Sequence, residues 1–304
     1  MEYHQPVLAT ESVELLNIQP EGIYVDATFG GGGHSNLILQ HLNDNGRLLG
    51  FDQDEDAQRN IPSDPRFIFV HNNFRYLKRY LKLHRFRQVD GILADLGVSS
   101  HQLDEEKRGF SYRFEAPLDM RMDQEGKQTA ADVVNTYSRE ALQEVFSKYG
   151  EVRNARTLAS HIVQERSHGK IETVGAFVTL LEQVLRGNRL RYLSQVFQAL
   201  RIEVNDEMGA LEEFLNQTLE VLKPGGHLVI ISYHSIEDRM VKYFLRNGNT
   251  KGKQEKDFYG NIYRPFRILT KKAVLPSEIE INKNSRARSA KMRAGVFIEP
   301  KPNG

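Results

Sequence analysis

Four short apolar runs fall within the first hundred residues: GIYVDATF (22–29), GRLLGFD (46–52), RFIFVHN (66–72) and VDGILADLG (89–97). Each is apolar on both faces, as a strand must be when it is covered from both sides of a sheet. The stretches between them, among them SNLILQHLN and FRYLKRYLKLHRF, read as helices. Strand alternating with helix predicts a doubly wound α/β sheet, because parallel neighbours need a crossover connection and the helices cover the faces. In such a sheet the ligand site lies beyond the carboxyl ends of the strands.

The alternation then stops. From about residue 105 to 205 no strand is predicted, and the polar connection DEEKRGFSYRFEAPLDMRMDQEGKQ leads into helices. SREALQEVFSKYG has Ser138 placed to cap its start and Gly150 to end it. NARTLASHIVQERS, VGAFVTLLEQVLR and a segment through GALEEFLNQTLEVL continue the helical pattern. The turn KPGG then introduces a fifth strand, HLVIISYHS (227–235), and RPFRILTKKAVLP with AKMRAGVFIEP suits a closing antiparallel pair. The expected organisation is one discontinuous α/β domain, residues 1–104 with 206–304, interrupted by a helical domain at 105–205.

The glycine run TFGGGGHS (28–35) follows the first strand and precedes its helix. Backbone amides and a helix N-terminus face the ligand there, and the missing side chains let a cofactor approach the chain. The dinucleotide pattern G-x-G-x-x-G fails, since its sixth position falls on Ser35 or Asn36, and no phosphate-cradling G-x-x-x-x-G-K-[ST] is present. Asp52 closes the second strand, where a carboxylate accepts hydrogen bonds from ribose hydroxyls; a dinucleotide and S-adenosylmethionine both fit that reading. Phe74, after the third strand, suits an adenine wall or plain core. Asp95, ending the fourth strand, suits a functional carboxylate or a turn former.

Charge and composition restrict the chemistry further. The sequence has no cysteine, which removes thiol nucleophiles, thiolate metal sites and disulfides. Net charge is +1, yet residues 1–238 hold 25 Lys+Arg against 35 Asp+Glu, whereas residues 239–304 hold 16 against 5. A basic end section on an acidic body points to a polyanion, with nucleic acid ahead of membrane. No apolar stretch approaches the ~20 residues of a membrane span, and MEYHQPVLATESVELL lacks the form of a signal peptide. The expected location is the cytoplasm, with no membrane partner.

Seven segments, in order, carry a resemblance: YHQPVLATESVELL, DATFGGGGHS, DLGVSSHQLD, APLDMRMD, FQALRIEVNDE, LKPGGHLVIISYHSIEDRMVK and SRARSAKMR. They look like the signatures of the RsmH (MraW) family, from residue 3 to about 293. Those proteins are S-adenosylmethionine-dependent methyltransferases acting on the N4 amine of a cytidine in 16S ribosomal RNA, near the decoding centre. The resemblance implies a Rossmann-like class I methyltransferase sheet with an inserted all-helical domain, and a 16S rRNA or small-subunit partner. It leaves homodimerisation open. It also implies cofactor contacts at Gly32, Gly33, His34, Asp52, Phe74, Asp95 and Gln102. Beside the glycines His34 also suits the start of the helix, with its backbone mattering more than its ring. The sequence reads FEAPLDMRMD and NSRARSAKMR where DGPLDMRMD and NPRARSAKLR are usual in the family.

The target amine's lone pair is delocalised into the ring, so an acceptor for its hydrogens assists; the candidate catalytic groups are Asp95 or a carbonyl of the loop after it, the second leaving Asp95 to the cofactor alone. That loop reads DLGVSS where many amino-methyltransferases have an Asp/Asn/Ser-Pro-Pro-aromatic motif. Methylation at cytosine C5 normally uses a cysteine adduct, which this chain cannot form. SYHSIEDR (232–239) lacks a nucleophile elbow; Ser235 and Asp238 read as a capping box, and the resemblance places His234 near the target base. For RNA, the candidate contacts are Lys283, Arg286, Arg288, Lys291 and Arg293, with a weaker set at Arg186, Arg189 and Arg191. Tyr112, Phe114 and Tyr233 are available to stack on a displaced base.

Overall fold

The computed structural model describes residues 6–254, 256, 260 and 262–298. The chain divides into two compact units, one of residues up to Gly97 together with those from Gly209 onward, the other Val98–Met208. The helical unit is a few residues wider at each end than the 105–205 read from the sequence. No helix among the described residues is long and apolar enough to cross a membrane.

The first unit holds strands β1 (Ile23–Asp26), β2 (Arg47–Asp52), β3 (Phe67–His71), β4 (Val89–Asp95), β5 (Leu222–Ser232), β6 (Phe266–Ile268) and β7 (Lys291–Phe297). They form one sheet in the order β3-β2-β1-β4-β5-β7-β6. The first five strands in that order run parallel, and β7 and β6 close the edge antiparallel. Strand order therefore reverses between β1 and β4, where an open α/β sheet leaves a crevice at the carboxyl ends. Helices α1 (Ala9–Leu16), α2 (Gly33–His41) and α3 (Leu77–Leu83) belong to this unit, as do α11 (Ser235–Asn247) and α12 (Glu278–Lys283). The expected helix FRYLKRYLKLHRF begins as a 3-10 turn at Phe74–Tyr76 before α3.

KPGG is not a turn ahead of the fifth strand. β5 already starts at Leu222, pairing with Val89, and pairing resumes at His227 with Gly91, so residues 223–226 stand out as a bulge. Gly225 supplies the left-handed φ of +87° that the bulge requires. Lys223 Nζ donates to both carboxylate oxygens of Asp90 at 2.8 Å, which fixes the bulge to β4.

The helical unit contains α4 (Ser100–Asp104), α5 (Ala130–Thr136), α6 (Arg139–Gly150), α7 (Ala155–Glu165), α8 (Val174–Val184) and α9 (Arg189–Val204). Helix α10 (Glu207–Val221) follows them. Phe146, Phe177, Leu181, Val196 and Leu200 are among the residues of this unit's own buried apolar core. Its only described β pairing is the isolated bridge Pro117–Thr173. Ser138 caps α6 as expected, its side chain accepting from the Ala141 amide. Gly150 does not end that helix: it lies in the last turn, and the left-handed residue beyond it is Glu151. Glycine is required at 150 by packing, because a Cβ there would stand 2.6 Å from the Gln195 carbonyl of α9.

Candidate active site at the carboxyl edge of the sheet

After β1 the chain keeps threading between its neighbours. The Ala27 amide donates to Leu93 O of β4 and the Phe29 amide to Phe51 O of β2, both at 2.8 Å. The Gly30 amide then donates to Asp52 Oδ2 at 2.7 Å, while Asn60 Nδ2 donates to the Gly30 carbonyl. This places the glycine turn directly over the ends of three strands. Gly30 and Gly32 adopt φ of +50° and +75°, a region costly for side-chain-bearing residues. Gly31 faces open space, with nothing within 4 Å of where a Cβ would sit. At Gly33 a Cβ would press on the Pro6 ring at 3.1 Å, so this glycine serves packing against the N-terminal segment.

Three aspartates end the three strands that border the turn: Asp26, Asp52 and Asp95. Asp26 is buried; Oδ2 accepts from Ser35 Oγ at 2.7 Å and Oδ1 from the Thr28 amide at 3.1 Å. Thr28 Oγ1 in turn accepts the Asp95 amide at 2.6 Å, linking the ends of β1 and β4. Burial pushes the Asp26 carboxyl up to about 6, against the lowering effect of Ser35 and Thr28. Asp52 is also raised by burial to about 6, opposed by the amides of Asp54 and Gly30 and reinforced by the charges of Asp54 and Asp26. Each Asp52 oxygen accepts one amide, Oδ1 from Asp54 and Oδ2 from Gly30, leaving further lone pairs for a ligand's hydroxyls.

Asp95 is held differently. Its Oδ1 accepts the Tyr233 hydroxyl at 2.8 Å, and its Oδ2 stands 3.8 Å from His34 Nδ1. Burial raises its carboxyl to about 6; His34 and the Tyr233 hydrogen bond pull it down, and the charges of Asp26 and Glu237 push it up. The Tyr233 phenol is driven far above its usual range by burial and by Asp95, which keeps the proton on it as a donor. The Tyr233 ring also lies 3.5 Å from where a Cβ on Gly97 would sit, at a φ of +97°. His34 is only 4% exposed, and its Nε2 donates to the Val7 carbonyl at 3.0 Å. His34 lies in the first turn of α2, as a helix starter would, and its ring is also held between the Val7 carbonyl and Asp95.

The remaining sequence candidates divide. Phe74 is half-buried and packs edge-on against Phe214 with ring centroids 5.1 Å apart. Gln102 belongs to the helical unit, is buried, and closes a capping box with Ser99 at the start of α4. The predicted Ser235–Asp238 box is displaced by one residue: His234 is the N-cap of α11 and Glu237 the reciprocal partner. The His234 ring is 7% exposed and turned onto its own helix, with Nε2 3.1 Å from Glu237 Oε1, so it is not displayed toward a base. Asp238 instead accepts Arg293 Nε at 2.7 Å and Nη2 at 3.2 Å, and Lys291 Nζ stands 4.0 Å away. Arg293, whose side chain is 12% exposed, is thereby an internal ion-pair partner instead of a free phosphate contact. Lys283 and Arg288 are exposed and Arg286 half-buried. In the helical unit Arg189 pairs with Glu182 at 2.6 Å, and the Tyr112 ring packs on Phe197.

The sequence does not single out Asp26 or Thr28, and Tyr233, one of the aromatics available for stacking or for a structural role, bonds to Asp95. The available signal was VDATF itself: an acid and a hydroxyl at the end of an apolar strand, immediately before a glycine turn.

The sequence profile of the MraW methylase family matches residues 1–297. A protein of Bacteroides fragilis (strain YCH46) named Ribosomal RNA small subunit methyltransferase H is 57% identical over 292 residues, covering 96% of each chain. Proteins of the same name from Bacteroides thetaiotaomicron and Flavobacterium johnsoniae are 56% and 53% identical, covering 96% of each chain and 98% and 99% respectively. Among solved structures, an rRNA methylase from Streptococcus thermophilus aligns over 95% of this chain and 92% of its own, with 13% identity and a TM-score of 0.37.

Proposed function

The chain belongs to the MraW methylase family, and from that premise we propose that it transfers a methyl group from S-adenosylmethionine to the N4 amine of a cytidine in 16S ribosomal RNA, in the region of the decoding centre. The observation that carries this reading is the pair of strand-end carboxylates, Asp52 and Asp95, set on either side of a bare glycine turn. That pair fits a nucleoside-bearing cofactor, and neither acid has a lysine or arginine partner among the described residues.

The residues suit this cofactor on three counts. Asp52 keeps acceptor capacity for two sugar hydroxyls, Gly31 leaves open space at the turn, and Gly30 and Gly32 let the backbone bend there. Phe74 completes the proposed contacts of the first unit, with Gly33 and His34 beside the turn. When bound, the cofactor supplies a methyl group on a positively charged sulfur, so the protein's task is chiefly placement.

Asp95 accepts a hydrogen of the attacking amine. At neutral pH its carboxyl, raised to about 6, is mostly ionised and yet basic enough to share a proton as the new bond forms. Tyr233 occupies one oxygen and His34 borders the other, so the carboxylate cannot rotate freely. The helical unit and the exposed Lys283 and Arg288 would hold RNA phosphates. With that substrate the protein works beside the ribosome, in the cytoplasm.

The test is transfer of labelled methyl to small ribosomal subunits lacking the modification, followed by mass spectrometry of the nucleosides. N4-methylated cytidine is the expected product. Label on another base or atom, or no incorporation, refutes the proposal.

A further inference from the structure

The acidic body of the chain hides one strongly basic element. Residues 75–87 contain Arg75, Lys78, Arg79, Lys82, Arg85 and Arg87 and no acid at all, within a section (1–238) where acids outnumber bases 35 to 25. Against the last helix before β5, five of these six cations, all but Arg79, fall into two groups. Arg75 is paired bidentately with Glu213, Lys78 pairs with Glu220, and Gln217 accepts the Lys78 amide while donating to the Arg75 carbonyl. The first turn of α3 is thus zipped onto α10. Beyond Glu220 the zipper ends, and a cleft of about 430 Å³ opens between the end of α3 and the end of α10.

The cleft is lined by the apolar Leu81, Phe86 and Val221, by the ion-paired Lys78 and Glu220, and by Lys82, Arg85 and Arg87. Those three side chains are exposed and have no acidic partner among the described residues. Cations at a helix C-terminus are favoured by the backbone dipole alone, but that effect fades within the last turn and does not account for Arg87, beyond the helix. Arg85 moreover sits at φ +64°, a position that glycine occupies without strain and where the chain carries a guanidinium instead.

We propose that this cleft is a second docking point for the phosphate backbone of the RNA substrate, remote from the reacting site; the proposal rests on the rRNA methyltransferase reading above. Unpaired cations among apolar side chains suit a phosphodiester with a base edge beside it. The cleft lies where the chain enters β4 at Val89, whereas Asp95 ends that strand, about 20 Å away at ~3.3 Å per residue. A strand advances ~3.4 Å per stacked nucleotide, so an RNA reaching from Asp95 to the cleft needs several nucleotides beyond the target, and the cleft selects against shorter fragments.

The experiment uses the full chain with small ribosomal subunits. Replacing Lys82, Arg85 and Arg87 together by alanine is expected to raise KM for the subunit about tenfold or more. The dependence of log KM on log salt should weaken by roughly 0.7 for each phosphate no longer neutralised. KM for S-adenosylmethionine and kcat at saturating subunit should stay unchanged. The single variant Arg85→Gly removes one charge at a backbone position glycine favours, so a several-fold rise in its subunit KM cannot be attributed to misfolding. Unchanged KM and salt slope in both variants, with an active parent enzyme, overturns the docking site alone. A parent that methylates no ribosomal RNA instead removes the reading on which it rests. Unchanged subunit KM together with loss of binding to phosphatidylserine vesicles would reassign the cleft to a membrane surface and also overturn the proposal.

Discussion

Among the described residues Asp26, Asp52 and Asp95 at the carboxyl edge of the sheet have no lysine or arginine partner, and burial raises each to about 6. Two acids of the helical unit, Asp119 and Asp132, live under opposite conditions. Burial alone would raise Asp119, but Arg121 donates to it from both side chain and backbone and holds its carboxyl below the usual range. Asp132 is lowered by the backbone and hydroxyl hydrogen bonds of Thr129, which it receives in the capping box of α5. One residue type thus serves two ends: Asp119 and Asp132 are committed to Arg121 and Thr129 and tie a loop and a cap together, while Asp52 and Asp95 keep acceptor capacity that a ligand can use.

Substitutions of matched size put this contrast at risk. Asp95→Asn keeps the shape and removes the basic acceptor, and methyl transfer is expected to fall about 10²- to 10⁴-fold, measured as kcat on small subunits. Asp119→Asn, the same change in the helical unit, should leave kcat within about twofold. Equal losses from both would abolish the distinction.

A smaller effect is expected on cofactor affinity. Asp52→Ala removes charge-assisted acceptors, so the Kd for S-adenosylmethionine in calorimetry should rise about 10- to 100-fold. Gly31→Leu fills open space at a position without positive φ; it should weaken the same Kd while leaving Tm nearly unchanged. If Gly31→Leu binds normally, the turn is not the cofactor cradle.

The dependence on pH separates the two kinds of acid more finely. In the proposed mechanism Asp95 acts as the carboxylate, so the rate is expected to fall as pH drops through about 6. Tyr233 stabilises the charged form, and Tyr233→Phe therefore moves the acid limb of the pH–rate profile to higher pH. Tyr233 is a positioning residue on this account, and an unshifted limb with merely lowered stability would make it structural only.

The smallest effect belongs to the helical unit. Asp119→Ala should cost about 1 kcal/mol in urea unfolding at pH 7, in the range of a partly exposed ion pair. Because the folded-state value of Asp119 is depressed, its contribution is present above the unfolded carboxyl value near 4 and disappears as pH falls through the folded one. The difference between parent and variant should therefore vanish in strong acid.

Much of this was legible in the residues. Apolar runs bounded by glycine and acid located the four N-terminal strands to within a few residues, since a strand buried on both faces leaves no other composition open. Asp52 and Asp95 were legible because strand ends in such a sheet face the crevice. Asp26 was not, because a carboxylate hidden beneath a turn looks the same in sequence as one that points into solvent. The capping residue of α11 was misplaced by one position, since histidine is an uncommon N-cap and Ser235 matches the usual pattern. Arg293 looked like an RNA contact because charge counts along a tail do not reveal that β7 brings it against Asp238. The basic element at 75–87 was masked by averaging over an acidic body.

The periodicities follow from residue order alone, and with them the parallel sheet, its helical interruption and the glycine turn, because backbone geometry and apolar burial act over a few residues at a time. Which charges are paired, which carboxylates are buried without a cation, and that Tyr233 reaches Asp95 across 138 positions of chain emerge only once the chain is folded. Those outcomes depend on distances between residues far apart in sequence, and electrostatic and hydrogen-bond energies are set by such distances and by burial, not by order along the chain.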